Sequence, residues 1–322
     1  MMKRRGRFAP TPSGELHIGN ALSALASWLQ IRQANGEFAL RIEDIDKPRS
    51  RPEFAAQGVD DLLWLGIDWD EGPDKGGRFA PYVQSEREER YHAALEQLRA
   101  AGKVYPCYCS RSELASIASA PHGLSSEGAA YPGLCRHLTA EEQFQKEAKK
   151  TPAIRFIMPH EPIAFQDGVA GWVQYDGDAL GDFVVKRADE MFSYQLAVTV
   201  DDSAMGITDV LRGADLLDST PRQLALYEAL GQQPPSFAHI PLVVDESGER
   251  LSKRDKSLTL ASLRQAGVKP ERLTGALAHM AGWTERLEPA TARELIKAYH
   301  PPRIPGSGIV LTERILQWLL NK

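Results

Sequence analysis

The sequence predicts an α/β protein built on a doubly wound parallel sheet, with a cysteine-bearing insertion and a small C-terminal helical module. Three observations carry this reading. Strand and helix patterns alternate over the first hundred residues, the alternation breaks at about Lys103 where the cysteines begin, and it resumes before a stretch patterned only as helix.

The first strand is RGRFAP, followed by a helix from Ile18 to about Ala34, where Leu22, Leu25, Trp28 and Leu29 keep the helical period and form one buried face. FALRIED is the second strand, PEFAAQGVDDLLWLG the second helix, and SEREERYHAALEQLRAAG a third, longer one. Residues 103–190 form the insertion, with a Ser/Ala/Gly-rich stretch and a charged segment, LTAEEQFQKEAKK, that reads as a solvated helix. Alternation resumes with DFVVKR, then a strand YQLAVTVDD, a helix near DSTPRQLALYEALG capped by Asp218 or Ser219 ahead of Pro221, and a strand IPLVVD. After Asp255 the segments ASLRQAG, ERLTGALAHMAGW, TARELIKAYH and TERILQWLLN read as helices.

Of the 322 residues, 43% are hydrophobic and 25% charged, ordinary globular usage. A net charge of −5 excludes a uniformly basic nucleic-acid binder, so any RNA contact is local. The basic start MMKRRGRFAP lacks the apolar run of a signal peptide, and no segment approaches about 18 uninterrupted apolar residues, so a cytoplasmic protein with no membrane partner is expected. The three cysteines, Cys107, Cys109 and Cys135, are too few and too clustered for a disulfide framework and point to a metal.

Chemistry concentrates in two motifs. In TPSGELHIGN, two prolines and Gly14 end a strand in a tight turn, and His17, Gly19 and Asn20 open a helix whose unpaired N–H groups favour a phosphate. Downstream, ERLSKRDKS places Lys253 after a strand of the same sheet, within reach of the same triphosphate. No GxGxxG follows a strand, and Gly102-Lys103 lacks the upstream glycine of a P-loop.

Together, HIGN and RLSKR resemble the HIGH and KMSKS motifs of the class I aminoacyl-tRNA synthetases, and RFAPTPSGELHIG with RIEDIDKPR is similar to their glutamyl branch. Asn20 stands where HIGH has its second histidine, and Arg250, Leu251 and Arg254 depart mildly from KMSKS. The resemblance implies a Rossmann-like catalytic domain, split into 1–102 and 191–255 around an acceptor-binding-like zinc insertion at 103–190. Residues 256–322 would be a stem-contacting module. The 67 residues beyond Asp255 leave no room for an anticodon-binding domain, which places the chain nearest the truncated glutamyl-Q tRNA(Asp) synthetase family. Members activate L-glutamate with ATP and Mg²⁺ without tRNA, then transfer it to queuosine at the wobble position of tRNA(Asp). A compact glutamyl-tRNA synthetase and a non-tRNA nucleotidylyltransferase are the competing expectations.

A dicarboxylic amino acid presents two carboxylates and one ammonium, matched by guanidinium forks and a protein carboxylate. By resemblance, Arg7, Phe8, Ala9, Pro10, Thr11, Glu43, Tyr194 and Arg212 fall on glutamate-binding positions, and His17, Gly19, Asn20 and Lys253 on ATP-binding ones, with His17, Asn20 and Lys253 catalytic. Three thiolates ask for a fourth zinc ligand. Spacing alone favours His137, whereas the resemblance implies Tyr131 beside Cys107, Cys109 and Cys135. A monomer is expected.

Overall fold

Four short strands, all parallel, make the central sheet of this computed structural model, which describes residues 3–110, 112–114, 124–125, 128–250, 258–300 and 308–320. In chain order the first elements are β1 (Arg5–Phe8), α1 (Ile18–Gln33), β2 (Glu37–Leu40), α2 (Pro52–Trp64) and α3 (Glu88–Ala100). The insertion follows, with β3 (Val104–Cys107), the ribbon β4 (Leu124–Ser125) and β5 (Gly128–Ala129), and α4 (Ala140–Glu147). It continues with β6 (Ala153–Phe156), the hairpin β7 (Ile163–Asp167) and β8 (Gly171–Tyr175), the single turn α5 (Gly177–Leu180) and β9 (Phe183–Lys186). Then come α6 (Tyr194–Ala204), β10 (Asp209–Gly213), α7 (Thr220–Ala229), β11 (Ser236–Ile240) and β12 (Val243–Val244). The last elements are α8 (Leu260–Gln265), α9 (Pro270–Met280), β13 (Ile309–Val310) and α10 (Glu313–Leu320).

The sheet order is β11-β10-β1-β2, so strands from both sides of the insertion lie side by side. Gly6 pairs with Asp209 across more than two hundred residues of sequence. Alternation along β1 divides its neighbours. Gly6 faces α1, where an added Cβ would lie 2.4 Å from Ile31, while Arg7 faces the other way, toward Asp202 of α6. The sheet thus has a helix on each face.

The main core joins α1 and the sheet to Leu273, Leu277, Trp283 and Leu319 of the C-terminal segments. A second core packs α3, the antiparallel sheet β3-β6-β9, α6 and α7 together. Helix α4 buries none of its residues, as a solvated helix should. Among the described residues no helix is long and apolar enough to cross a membrane.

Four expectations are corrected. YQLAVTVDD is helix, not strand: Ser193 caps α6, Leu196 and Ala197 pack in the second core, and Asp201 and Asp202 both find buried cationic partners. These tertiary gains outweigh the strand preference of Val198, Thr199 and Val200. IPLVVD divides at Pro241, because Ile240 ends β11 whereas Val243–Val244 leaves the sheet to pair with β13. DFVVKR belongs to the insertion's antiparallel sheet, paired with β6. TARELIKAYH forms only a 3₁₀ turn at Glu294–Ile296. At α7, Ser219 occupies the cap position without capping, since its hydroxyl accepts from Gln195 Nε2 at 3.0 Å.

Candidate active site and metal centre

The loop between β1 and α1 is stapled to the chain beyond β2 by backbone bonds from Arg41 to Phe8 O, Glu43 to Pro10 O and Arg51 to Pro12 O. Pro10 and Pro12 have no N–H to extend the sheet, so only their carbonyls take part. His17 then caps α1. Its Nδ1 accepts from Gly19 N–H at 3.1 Å, while Asn20 Oδ1 accepts from His17 N–H at 3.1 Å, a reciprocal capping box. With Nδ1 an acceptor, the ring proton sits on Nε2 as a donor. Gly19 has a local reason: a Cβ there would stand 3.1 Å from the imidazole. Both polar side chains of HIGN thus build the helix terminus itself.

Lys253 and its neighbours 251–257 lie outside the described residues. Both flanks of that segment are anchored. Arg250 pairs with Asp215 at 2.8 Å and bridges Val244, and on the far side Leu260 N–H bonds Leu16 O at 2.8 Å while Thr259 bridges His17. The chain that follows the second motif, at Thr259 and Leu260, therefore packs onto the segment that carries the first.

The four charged or hydroxylated residues expected to grip glutamate gather at one place. Arg7 Nε contacts Asp202 at 3.2 and 3.3 Å, and neither of its Nη nitrogens has a hydrogen-bond partner among the described residues, which leaves a free fork. Arg41, fully buried, spans Asp202 at 2.7 Å and Glu43 at 2.8 Å. Burial raises the Glu43 pKa against the opposing pull of Arg41 and Arg7. Burial would raise Asp202 too, but Arg7 and Arg41 outweigh it and hold that carboxyl below its ordinary range. Arg212 is nearly used up: Nε donates to His239 Nε2 at 3.0 Å, Nη1 to the Tyr194 hydroxyl at 3.2 Å, and Nη2 to Leu216 O and Thr220 Oγ1. One N–H remains, beside a tyrosine hydroxyl whose oxygen already accepts and whose proton is left to donate. Phe8 is buried, Ala9 and Pro10 are half-buried and Thr11 is exposed along the same loop. Sequence reasoning missed Arg41, Asp202 and His239. The run Asp201-Asp202 closing an apolar segment was the available signal, since carboxylates there must be buried with partners.

A cavity of ≈ 740 Å³ is lined by Pro12, Asp44, Lys47, Arg51 and Ser85 among others. None of Arg7, Glu43, Tyr194 or Arg212 lines it.

In the insertion, the sulfurs of Cys107, Cys109 and Cys135 lie within 4.8 Å of one another. Cys109 and Cys135 Sγ are 3.7 Å apart, close to the edge of about 3.8 Å for thiolates bound tetrahedrally at about 2.3 Å. The Tyr131 oxygen sits 3.0 Å from Cys109 Sγ and 3.5 Å from Cys107 Sγ, whereas His137 is exposed. Arg155 lies 3.9 Å over the Tyr131 ring and donates to Cys107 Sγ at 3.3 Å. Burial pushes the Cys109 thiol up to about 12 and raises the Tyr131 phenol, so ionising these two calls for a cation beside them. Three cysteines with a tyrosine oxygen fit a closed metal site.

A parallel sheet with helix α1 opening beyond the end of β1, and with buried arginines at the ends of β1 and β10, defines an α/β class of protein whose ligands bind at the strand ends. The chain belongs to the tRNA synthetases class I (E and Q), whose catalytic-domain family model matches residues 3–318. It is 58% identical over 305 residues to the glutamyl-Q tRNA(Asp) synthetase of Symbiobacterium thermophilum, covering 94% of each chain. The protein of the same name from Nitratidesulfovibrio vulgaris is 49% identical, over 98% of each. Among solved structures, the glutamate-tRNA synthetase of Elizabethkingia anophelis superposes with a TM-score of 0.87 at 32% identity, covering 98% of this chain and 70% of that one.

Proposed function

We propose that this chain activates L-glutamate with ATP to glutamyl-AMP and transfers the glutamyl group to queuosine at the wobble position of tRNA(Asp). The observation that carries it is the buried assembly in which Arg7 keeps a free fork, Glu43 is held by Arg41, and Arg212 and Tyr194 each keep one donor. One carboxylate of glutamate pairs with the Arg7 fork and the other with Tyr194 and Arg212, while Glu43 takes the ammonium. Glutamine is rejected because its neutral amide leaves a buried guanidinium uncompensated.

The glutamate α-carboxylate attacks the α-phosphate of ATP in line. His17 Nε2–H, the Asn20 amide and the N–H groups opening α1 neutralise the phosphates, and Lys253 steadies the departing pyrophosphate. Mg²⁺ bound with ATP would supply further neutralisation of the phosphate charge. Cys107, Cys109, Tyr131 and Cys135 would hold a structural Zn²⁺, which would cross-link the parts of the insertion that carry them. The four segments 1–102, 103–190, 191–255 and 256–322 serve as catalytic halves, insertion and stem-contact module of a cytoplasmic monomer.

Acylation with radiolabelled glutamate tests the reading. Label should appear on queuosine-containing tRNA(Asp) and on neither queuosine-free tRNA(Asp) nor tRNA(Glu). Label on tRNA(Glu) instead would establish the compact glutamyl-tRNA synthetase.

A further inference from the structure

His239 lies on β11, fully buried, against Arg212 of the neighbouring strand β10. Its two nitrogens do different work. Nδ1 is 2.6 Å from Asp167 Oδ2, and a carboxylate only accepts, so Nδ1 carries the proton. Nε2 faces two donors, Arg212 Nε at 3.0 Å and the Thr220 hydroxyl at 3.2 Å. Asp167 is itself fixed at the end of β7, where its Oδ1 accepts from the backbone N–H groups of Val169, Ala170 and His239. Burial, with the charges of Arg212 and Arg7, lowers the His239 pKa and keeps the ring neutral.

We infer that His239, its tautomer set by Asp167, is a positioning residue for amino-acid recognition: it pins the Arg212 guanidinium plane so that the last Nη1–H and the Tyr194 hydroxyl point at a carboxylate of the substrate. Arg212 sits in β10 and Asp167 in the insertion's hairpin, so the geometry of the pocket depends on how the hairpin docks on the sheet edge, where Gly168 N–H also bonds Phe237 O at 2.8 Å. Loss of the Nε2 acceptor leaves Arg212 Nε unpaired, so the guanidinium is held only through its Nη groups by Leu216 O, Thr220 and Tyr194 and can tilt about those contacts, and the carboxylate loses a preset partner.

This inference rests on glutamate being the substrate, and one assay separates the two. Glutamate-dependent exchange of pyrophosphate into ATP is measured for the unaltered chain, His239→Asn, His239→Gln and Asp167→Asn. Asparagine can keep the contact at the Nδ1 position but cannot reach Arg212, whereas the glutamine Oε1 can take the Nε2 place. His239→Asn should raise the KM for glutamate about tenfold to a hundredfold, the range for one hydrogen bond to a charged group, with the KM for ATP unchanged. His239→Gln should restore most of that loss, and Asp167→Asn should raise the same KM severalfold. If His239→Asn does not fold, the glutamine and Asp167 variants still read the split. Equal KM values for glutamate in all variants, or losses in both KM values that track thermal stability, overturn the inference alone. No exchange with glutamate in the unaltered chain overturns the proposed function and the inference with it.

Discussion

Replacing Tyr131 by phenylalanine removes one oxygen and little else. The ring stays stacked under Arg155 at 3.9 Å, and the oxygen that goes is the one 3.0 Å from Cys109 Sγ, 3.5 Å from Cys107 Sγ and 3.2 Å from the Cys135 N–H. A structural zinc site of four ligands contributes about 10–16 kcal/mol, so one ligand carries roughly a quarter, and a water entering its place recovers part. A net loss of about 2–3 kcal/mol corresponds to zinc affinity lower by about thirtyfold to two hundredfold. His137 is exposed, and its replacement by alanine should leave affinity within about twofold. Metal content per purified chain, followed by competition against a chromogenic chelator, reads both values. Greater loss in His137→Ala than in Tyr131→Phe would refute the ligand choice, and no zinc at any stage would refute the site.

Two further outcomes concern stability. Gly6→Ala drives a Cβ to within 2.4 Å of Ile31 where α1 lies on β1, and overpacking of this kind costs about 1–3 kcal/mol; Gly14→Ala, with nothing within 4 Å, should leave the urea midpoint nearly unchanged. Because burial, with the charges of Arg212 and Arg7 and against the pull of Asp167, lowers the His239 pKa in the fold, the unfolded chain takes up a proton first. Stability should therefore be full above about pH 6.5 and decline as the pH falls toward the lowered value. Asp167, also held below its ordinary range, adds a further decline at lower pH, whereas Glu43, raised by burial, acts with the opposite sign. Urea midpoints between about pH 7 and pH 5 should show a limb that His239→Gln lacks; an identical limb in that variant would count against the assignment.

Legible in the sequence alone were the features whose cause lies within a turn or two of chain. His17, Gly19 and Asn20 announce a helix start because cap and first turn are neighbours, the apolar period of α1 marks its buried face, and clustered cysteines mark a site that could hold a metal. Family motifs pointed to Arg7, Glu43, Tyr194 and Arg212 as a group. What carried α6 from strand to helix was partnership at a distance, since Asp201 and Asp202 are buried only because Arg87, Arg41 and Arg7 converge on them. The same holds for the pocket's inner support. Sheet register brings β1 beside β10, and the docked hairpin sets Asp167 behind His239, relations among residues up to two hundred positions apart. The choice of Tyr131 over His137 is likewise spatial: along the chain both flank Cys135, and only the fold turns one inward to the sulfurs and the other out to water.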